Sequence, residues 1–286
     1  MTQNTRAVPR HMDLIYDVGL HKGEDTAYYL KNGFRVIAFE ADPDLVRLNE
    51  ERFSQSIKQG NLIIVDGAIV GDPSAKEVTF YKNLKESEWG TIDPERVQRN
   101  VKLGTPHRSI RVPAINFEEC IIKFGIPYYM KIDIESADRI CLEILKQFTV
   151  KPCYVSIESE KVHFENLVRE LDIFSELGYT KFSAVAQAAI HKLKRPIRSK
   201  EGKHISYRFP HGSSGPFGQD ISNWMSMDEV LDEYKTIFKR YQKYGDDTFW
   251  GRNKIAKACL YAFLMLCGKP VPGWYDTHAR LAECKG

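Results

Sequence analysis

The chain has 286 residues, 43% of them hydrophobic and 28% charged, with a formal net charge of +3. That length suits one large globular domain, or one domain with an appendage. The charge balance is too weak to imply a nucleic-acid partner by itself.

Strand and helix signals alternate from residue 13 to about residue 187. Leu14–Val18 reads as a buried strand, and the helix after it stops at Asn32-Gly33. Arg35–Glu40 is the second strand. Its helix opens at Pro43, a favoured first-turn position, and stops at Gly60. Leu62–Asp66 is the third strand. Val78–Tyr81 and Ile110–Val112 read as short strands around a loop. Asn116 with Glu119 then makes a capping-box-like start for a helix to Phe124. Tyr128–Ile134, Cys153–Ile157 and Lys181–Ala186 are further strands, separated by amphipathic helices at about 137–148 and 162–177. This alternation predicts an α/β fold with a doubly wound, Rossmann-like parallel sheet. No internal repeat is visible.

The pattern changes after Ala189. His191–Arg208 carries seven Lys/Arg against one Glu, and a glycine-rich stretch, 211–218, follows. Two helices come next. Ser226 and Glu229 cap the first, which presents Val230, Tyr234, Ile237, Phe238 and Tyr241 on one face and stops at Gly245. The second runs from about Thr248 to Cys267 and stops at Gly268. The expected division is a core at 1–190 and an extension at 191–286, serving as a lid or as a face on the same core.

Cysteines stand at 120, 141, 153, 259, 267 and 284, with no C-x-x-C pair. The expectation is reduced, mostly buried thiols in a cytoplasmic protein, with neither a zinc site nor a disulfide framework. The first twelve residues show no apolar core of a secretory signal. Ala256–Cys267, the longest apolar run, is broken by Lys257 and is too short to span a bilayer.

Two phrases carry the ligand chemistry. Ile15–Thr26 is a strand ending in Asp17 and a glycine turn. Val36–Pro43 is the next strand, ending in Glu40. In open α/β sheets such strand ends hold ligands. A dinucleotide fingerprint needs G-x-G-x-x-G, but here the middle position is His21 and the spacing is Gly19-x-x-x-Gly23. A Walker lysine loop is absent as well. Asp17, beside the glycines, suits a ligand with a cationic end and no phosphate. S-adenosylmethionine, with its ammonium and sulfonium, is such a ligand. Glu40 is placed to accept both ribose hydroxyls, and Asp66, before Gly67-Ala68, to accept from the adenine amine.

At these residues the chain resembles the FkbM-type S-adenosylmethionine-dependent methyltransferase family. Phe39-Glu40-Ala41-Asp42-Pro43 looks like its FEP(N/D)P phrase. Gly67-Ala68-Ile69-Val70-Gly71-Asp72 is similar to its N-A-A-V-G-D stretch. Glu86–Thr91 stands where the family has a serine-rich loop over the cofactor. Met130–Asp138 resembles K-I-D-V-E-G-A-E, with Ser136 for its usual glycine. Ile115–Phe117 replaces the family's T-L-D, and His21-Lys22 departs from its Ala-Asn-like stretch. The C-terminal third lies outside the family's common core. The resemblance implies a seven-stranded, mostly parallel sheet. It implies S-adenosylmethionine as cofactor, held by Asp17, Gly19, Gly23, Thr26, Glu40, Asp42, Asp66, Gly67, Ala68 and Asp133.

It also implies O-methylation, commonly of hydroxyls on sugars or natural-product scaffolds. An alcohol needs a nearby base. Asp133 and Glu135, two apart at the end of a strand, would share a face. One of them as base, both holding a divalent cation, or both in a buried network with Lys131 are the three open readings. Glu158 and His163 are further candidates for the acceptor side. His211, Asp276 and His278, read as loop residues, could supply base or metal ligands from a lid. An RNA methyltransferase using the basic 192–208 segment, and a cofactor-binding scaffold without catalysis, are the rival readings. The first is disfavoured because only Tyr207 and Phe209 offer stacking platforms and no N-P-P-Y-like tetrapeptide is present. A small-molecule or glycan acceptor is therefore expected.

Overall fold

The structure is a computed structural model that describes residues 5–135, 137–160, 163–192, 197–245, 248, 253–267 and 274–284. In chain order the strands are β1 (Arg10–Val18), β2 (Arg35–Glu40), β3 (Leu62–Asp66), β4 (Ala68–Ile69), β5 (Glu77–Asn83), β6 (His107–Ile115), β7 (Ile126–Ile132), β8 (Tyr154–Glu158), β9 (Tyr179–Ala186), β10 (Ile197–Arg198), β11 (Ser206–Tyr207) and β12 (Tyr275–Leu281). The helices are α1 (Glu24–Asn32), α2 (Pro43–Arg52), α3 (Ser54–Lys58), α4 (Pro94–Lys102), α5 (Phe117–Phe124), α6 (Asp138–Leu145), α7 (Phe164–Glu176), α8 (Met227–Tyr244) and α9 (Lys254–Leu266).

Seven strands form one sheet in the order β3-β2-β1-β7-β8-β12-β9. The pairs from β3 to β8 are parallel. β12 runs antiparallel to both β8 and β9, so the sheet is mixed and mostly parallel. Strand order reverses between β1 and β7, which opens a crevice at their carboxyl ends. The central strands are largely apolar because helices cover both faces; every residue of β7 is buried, Lys131 included. β4, β6 and β5 form a smaller three-stranded sheet beside that crevice.

Several boundaries differ from the expectation. The helix after β2 breaks at Phe53 into α2 and α3. The presumed loop between the two short strands contains α4, opened by Pro94 and capped by the Asp93 side chain on the Glu95 N–H. β7 stops at Ile132, so Asp133 and Glu135 lie beyond the strand rather than on one face of it. Glu135 takes a left-handed φ of 49°. Ser136, Lys194, Arg195 and Gly268 fall outside the described residues.

Asp276 and His278 are strand residues, which corrects their reading as loop residues. His278 is buried in β12, opposite Ser156 of β8 and Ser183 of β9. The C-terminal segment also seals one face of the sheet. Phe217, fully buried, stacks on Tyr129 at 4.5 Å between ring centroids and meets Tyr29 and Phe34 edge-on.

Cys153, just before β8, and Cys284, just after β12, form a disulfide with Cα atoms 5.5 Å apart across a separation of 131 residues. This corrects the expectation of free thiols throughout. Sequence spacing is silent about two residues that meet only when their strands become neighbours. Of the other thiols, Cys141 is buried, Cys120 is half-buried, and Cys259 and Cys267 are exposed.

Candidate active site

The turn after β1 is built by backbone crowding. Gly19 has φ +97°, and a Cβ there would lie 2.0 Å from the Asp133 carbonyl oxygen. Only glycine lets the two strand ends approach so closely. The N–H groups of Gly19 and Leu20 donate to the Phe39 carbonyl at 3.1 and 2.9 Å, fastening the turn to β2. Gly23, φ +75°, starts α1, and a Cβ there would strike Phe53. His21 is also left-handed, at φ 50°. In that pose its N–H donates to Glu40 Oε2 at 2.7 Å, while the Asp42 N–H donates to Oε1 at 2.8 Å. Glu40 is thereby held at the end of β2. Burial raises its carboxyl to about 7, against the lowering effect of those two N–H groups.

Behind the turn lies a buried ionic cluster. Lys131 of β7 donates to the Gly19 carbonyl at 3.1 Å. Its Nζ also lies 3.5 Å from Asp17, 3.6 Å from Asp133 and 3.7 Å from Asp25. Thr26 donates to Asp17 at 2.7 Å. Asp25 accepts the Ser214 N–H at 3.0 Å, which ties the glycine-rich C-terminal loop to the first turn of α1. Burial raises the Asp25 carboxyl to about 6, opposed by Lys131. Burial, and then the nearby Asp133 charge, raise Asp276 well above the ordinary carboxyl range.

Asp25, Lys131, Asp133 and Asp276 border a cavity of about 870 Å³, near the upper end of small-molecule sites, roughly 300–1,000 Å³. Glu40, Gly67 and Ala68 line one end. Asp133, Glu158 and Asp276 line another wall, and His191 and His211 face it from the C-terminal segment. The Asp133 side chain is 46% exposed, whereas Lys131 behind it is 7% exposed. The roof comes from the small sheet and α4. Arg96 pairs with Glu135 at 2.6 Å, and Thr91 donates to the Glu135 carbonyl at 2.9 Å. His21 Nε2 meets Ser87 Oγ at 2.7 Å, closing the serine-containing loop onto the glycine turn.

The expected site residues divide into two groups. Gly19, Glu40, Gly67, Ala68, Asp133, Glu135 and Glu158 line the cavity. Asp17 and Thr26 lie behind it, bonded to one another. Gly23 shapes the turn. Asp42 accepts the Asp44 N–H at the start of α2 and pairs with Lys82 at 2.9 Å. Asp66 is exposed at the end of β3. His163, at the start of α7, is exposed and does not border the cavity. Glu135 turns toward Arg96, so it and Asp133 do not share one strand face as their spacing suggested. Among the described residues no three His, Cys, Asp or Glu side chains are arranged to hold a metal ion.

The sequence reading did not single out Asp25, Arg96, Thr91 or Ser214. Asp25 had a weak signal, as an acidic residue in a helix's first turn. Thr91 and Ser214 lay within noted stretches, Glu86–Thr91 and 211–218, without a role, and Arg96 is brought in only by its tertiary contact with Glu135.

Comparison with known proteins bears on residues 17–181, which match the Methyltransferase FkbM domain. No match was found among curated proteins. Three solved structures are similar. An FkbM methyltransferase from Methylobacillus flagellatus KT is 16% identical over 60% of this chain and 40% of that one, with a TM-score of 0.37. A SAM-dependent methyltransferase from Archaeoglobus fulgidus is 10% identical over 94% and 86%, with a TM-score of 0.37. A precorrin-6y C5,15-methyltransferase from Geobacter metallireducens GS-15 is 10% identical over 71% and 77%, with a TM-score of 0.33. The matched span runs from the end of β1 into the start of β9 and takes in the turn, the ionic cluster's β7 lysine and the Glu40 strand end. The chain belongs to the FkbM family of S-adenosylmethionine-dependent methyltransferases.

Proposed function

We propose that the cavity binds S-adenosylmethionine against the ends of β1 and β2 and directs methyl transfer to a hydroxyl of a sugar, glycan or natural-product scaffold. The observation that carries this reading is the acidic wall. Asp133, Glu158 and Asp276 border the cavity together, with one buried lysine behind them. Carboxylates accept hydrogen bonds from hydroxyl donors and repel phosphate-rich acceptors. That supports a polyhydroxylated acceptor over RNA.

The residues fit the cofactor. Each Glu40 oxygen already accepts one backbone N–H, which leaves a lone pair on each for a ribose diol. Gly19 and Gly67 present bare backbone to the cavity. Three carboxylates, Asp17, Asp25 and Asp133, lie 3.5–3.7 Å from the Lys131 ammonium. The surplus negative charge favours a ligand with cationic groups. In this reading Asp17, engaged by Thr26 and Lys131, supports the turn and contributes its field from behind.

When bound, the cofactor supplies a methyl group activated by a sulfonium. Asp133, the exposed member of the cluster, takes the acceptor hydroxyl's proton as the oxygen attacks. Lys131, 3.6 Å from Asp133, holds that side chain at the cavity wall. Asp276, on the same wall, hydrogen-bonds the acceptor and orients it.

Calorimetry with S-adenosylhomocysteine and turnover on a panel of hydroxylated glycans test these roles. Glu40→Ala is expected to weaken binding about tenfold or more, because a charged hydrogen-bond partner is worth roughly 1.5–3 kcal/mol. Asp133→Ala should leave cofactor affinity nearly unchanged and lower turnover by about 10²–10⁴. Equal losses of affinity in both variants would contradict the assignment. Cofactor binding with no turnover on any acceptor would favour the scaffold reading. A steep salt dependence of RNA binding would favour an RNA acceptor.

A further inference from the structure

His21 joins the glycine turn to β2, to α2 and to the roof loop. Its φ of 50° is uncommon for a residue with a Cβ. Two main-chain bonds fix that pose. The N–H donates to Glu40 Oε2 at 2.7 Å, and the carbonyl accepts the Asn49 side-chain N–H at 2.6 Å. The ring makes the remaining contacts. Nε2 lies 2.7 Å from Ser87 Oγ and 3.9 Å from Glu88, and Nδ1 lies 3.5 Å from Glu24. Burial raises the Glu24 carboxyl, but hydrogen bonds, that of the His21 ring first, outweigh it and keep Glu24 below its ordinary value. An ionised Glu24 favours the ring proton on Nδ1, which leaves Nε2 to accept the Ser87 hydroxyl.

The roof loop stands with both feet on β5. At one foot Asn83 Oδ1 accepts the N–H groups of Lys85 and Glu86, each at 3.0 Å. At the other, Thr91 and Tyr81 exchange main-chain bonds at 2.8 and 3.2 Å. Between the feet, the Trp89 carbonyl accepts the Asn100 side chain of α4 at 3.4 Å. Among the described residues, the hydrogen bond and the ion pair that cross from this loop to the glycine turn are both made by the His21 ring. Ser87 and Trp89 line the same cavity as Gly19 and Glu40. A ligand seated at Glu40 therefore lies beneath a loop that His21 ties to the turn.

We propose that the His21 side chain is a latch, a positioning residue whose bond to Ser87 holds the roof loop over the bound cofactor and slows its release. The inference rests on the cofactor reading above. One residue then serves both sides of the ligand: its main chain orients Glu40 below, and its ring fastens the loop above.

The variant His21→Gly tests the latch without disturbing the turn. Glycine adopts φ 50° freely and keeps both main-chain bonds, so the unfolding temperature should not fall. Surface plasmon resonance on the full chain should show S-adenosylhomocysteine leaving about three- to tenfold faster, the effect of one lost hydrogen bond, with little change in its association rate. Ser87→Ala should accelerate release to the same extent, and the double variant should add nothing further. His21→Gln, whose amide reaches as far as Nε2, should restore slow release. In the cofactor-free protein, amide hydrogen exchange across residues 84–91 should quicken in His21→Gly. Unchanged release from His21→Gly, multiplying effects of the two single variants, or unchanged exchange in the loop overturns the proposal. A fall in unfolding temperature that parallels the loss of affinity also overturns it, by showing a structural prop. Failure of the unaltered protein to bind S-adenosylhomocysteine overturns the cofactor reading instead, and loop exchange alone then decides the latch.

Discussion

Glu40 and Lys131 show how single groups set the chemistry of the cleft. The folded Glu40 carboxyl titrates at about 7, against an ordinary value of 4.5, because burial disfavours its charge. Its contribution to the stability of the cofactor-free protein is therefore full below 4.5 and lost as pH rises through 7. Hydroxyl donors of a bound cofactor favour the ionised form. Affinity for S-adenosylhomocysteine should accordingly fall as pH drops below about 7, by up to roughly tenfold per pH unit. Calorimetry between pH 5.5 and 8.5 checks this, and Glu40→Gln should flatten the profile. Lys131 is the counterpart. Replacing it with Met leaves Asp17, Asp25 and Asp133 without their cation and is expected to cost about 3–5 kcal/mol by chemical denaturation. The deficit should shrink at low pH, where those carboxyls take up protons.

Among the elements, β12 and the loop before α8 do most to join the C-terminal segment to the core. β12 inserts between β8 and β9 and brings Asp276 to the cavity wall. The same strand buries His278, whose ring nitrogens have no hydrogen-bond partner among the described residues; burial lowers its pKa to about 3, so it stays neutral. The loop is fixed at two points, by the Ser214 N–H on Asp25 and by Phe217 against the aromatic face of α1 and β7. Phe217→Ala should cost about 3–5 kcal/mol, as large-to-small changes at buried aromatics do. It should also weaken acceptor turnover, because the loop carrying His211 and Ser214 loses its anchor. Urea unfolding and glycan turnover on one preparation measure both effects.

For the molecule as a whole, the Cys153–Cys284 bridge closes a long loop between the start of β8 and the end of β12. Such a closure restricts the unfolded chain, and its reduction is expected to lower stability by about 3–5 kcal/mol. Thermal unfolding with and without a thiol reductant measures this. Cys284→Ser should match the reduced protein and show no further response to reductant. The bridge also holds β12 beside β8, so reduction should loosen the acceptor wall around Asp276 before it affects the Glu40 end.

Read from the sequence alone, the alternation of strands and helices, the carboxylates at successive strand ends and the glycine turn determined the parallel part of the sheet and where its ligand cleft opens. These are local signals: a period of two, a period of 3.6, a residue with no Cβ where two backbones approach. His21 in the middle of the turn was enough to set dinucleotides aside. Tertiary structure alone decided the rest. The stop of β7 at Ile132 separated Glu135 from Asp133 and handed it to Arg96. The antiparallel insertion of β12 turned apparent loop residues into a cavity wall, and the pairing of Cys153 with Cys284 followed from the same insertion. Each depends on which distant segments become neighbours, and long-range pairing leaves no period in the chain for a sequence to display.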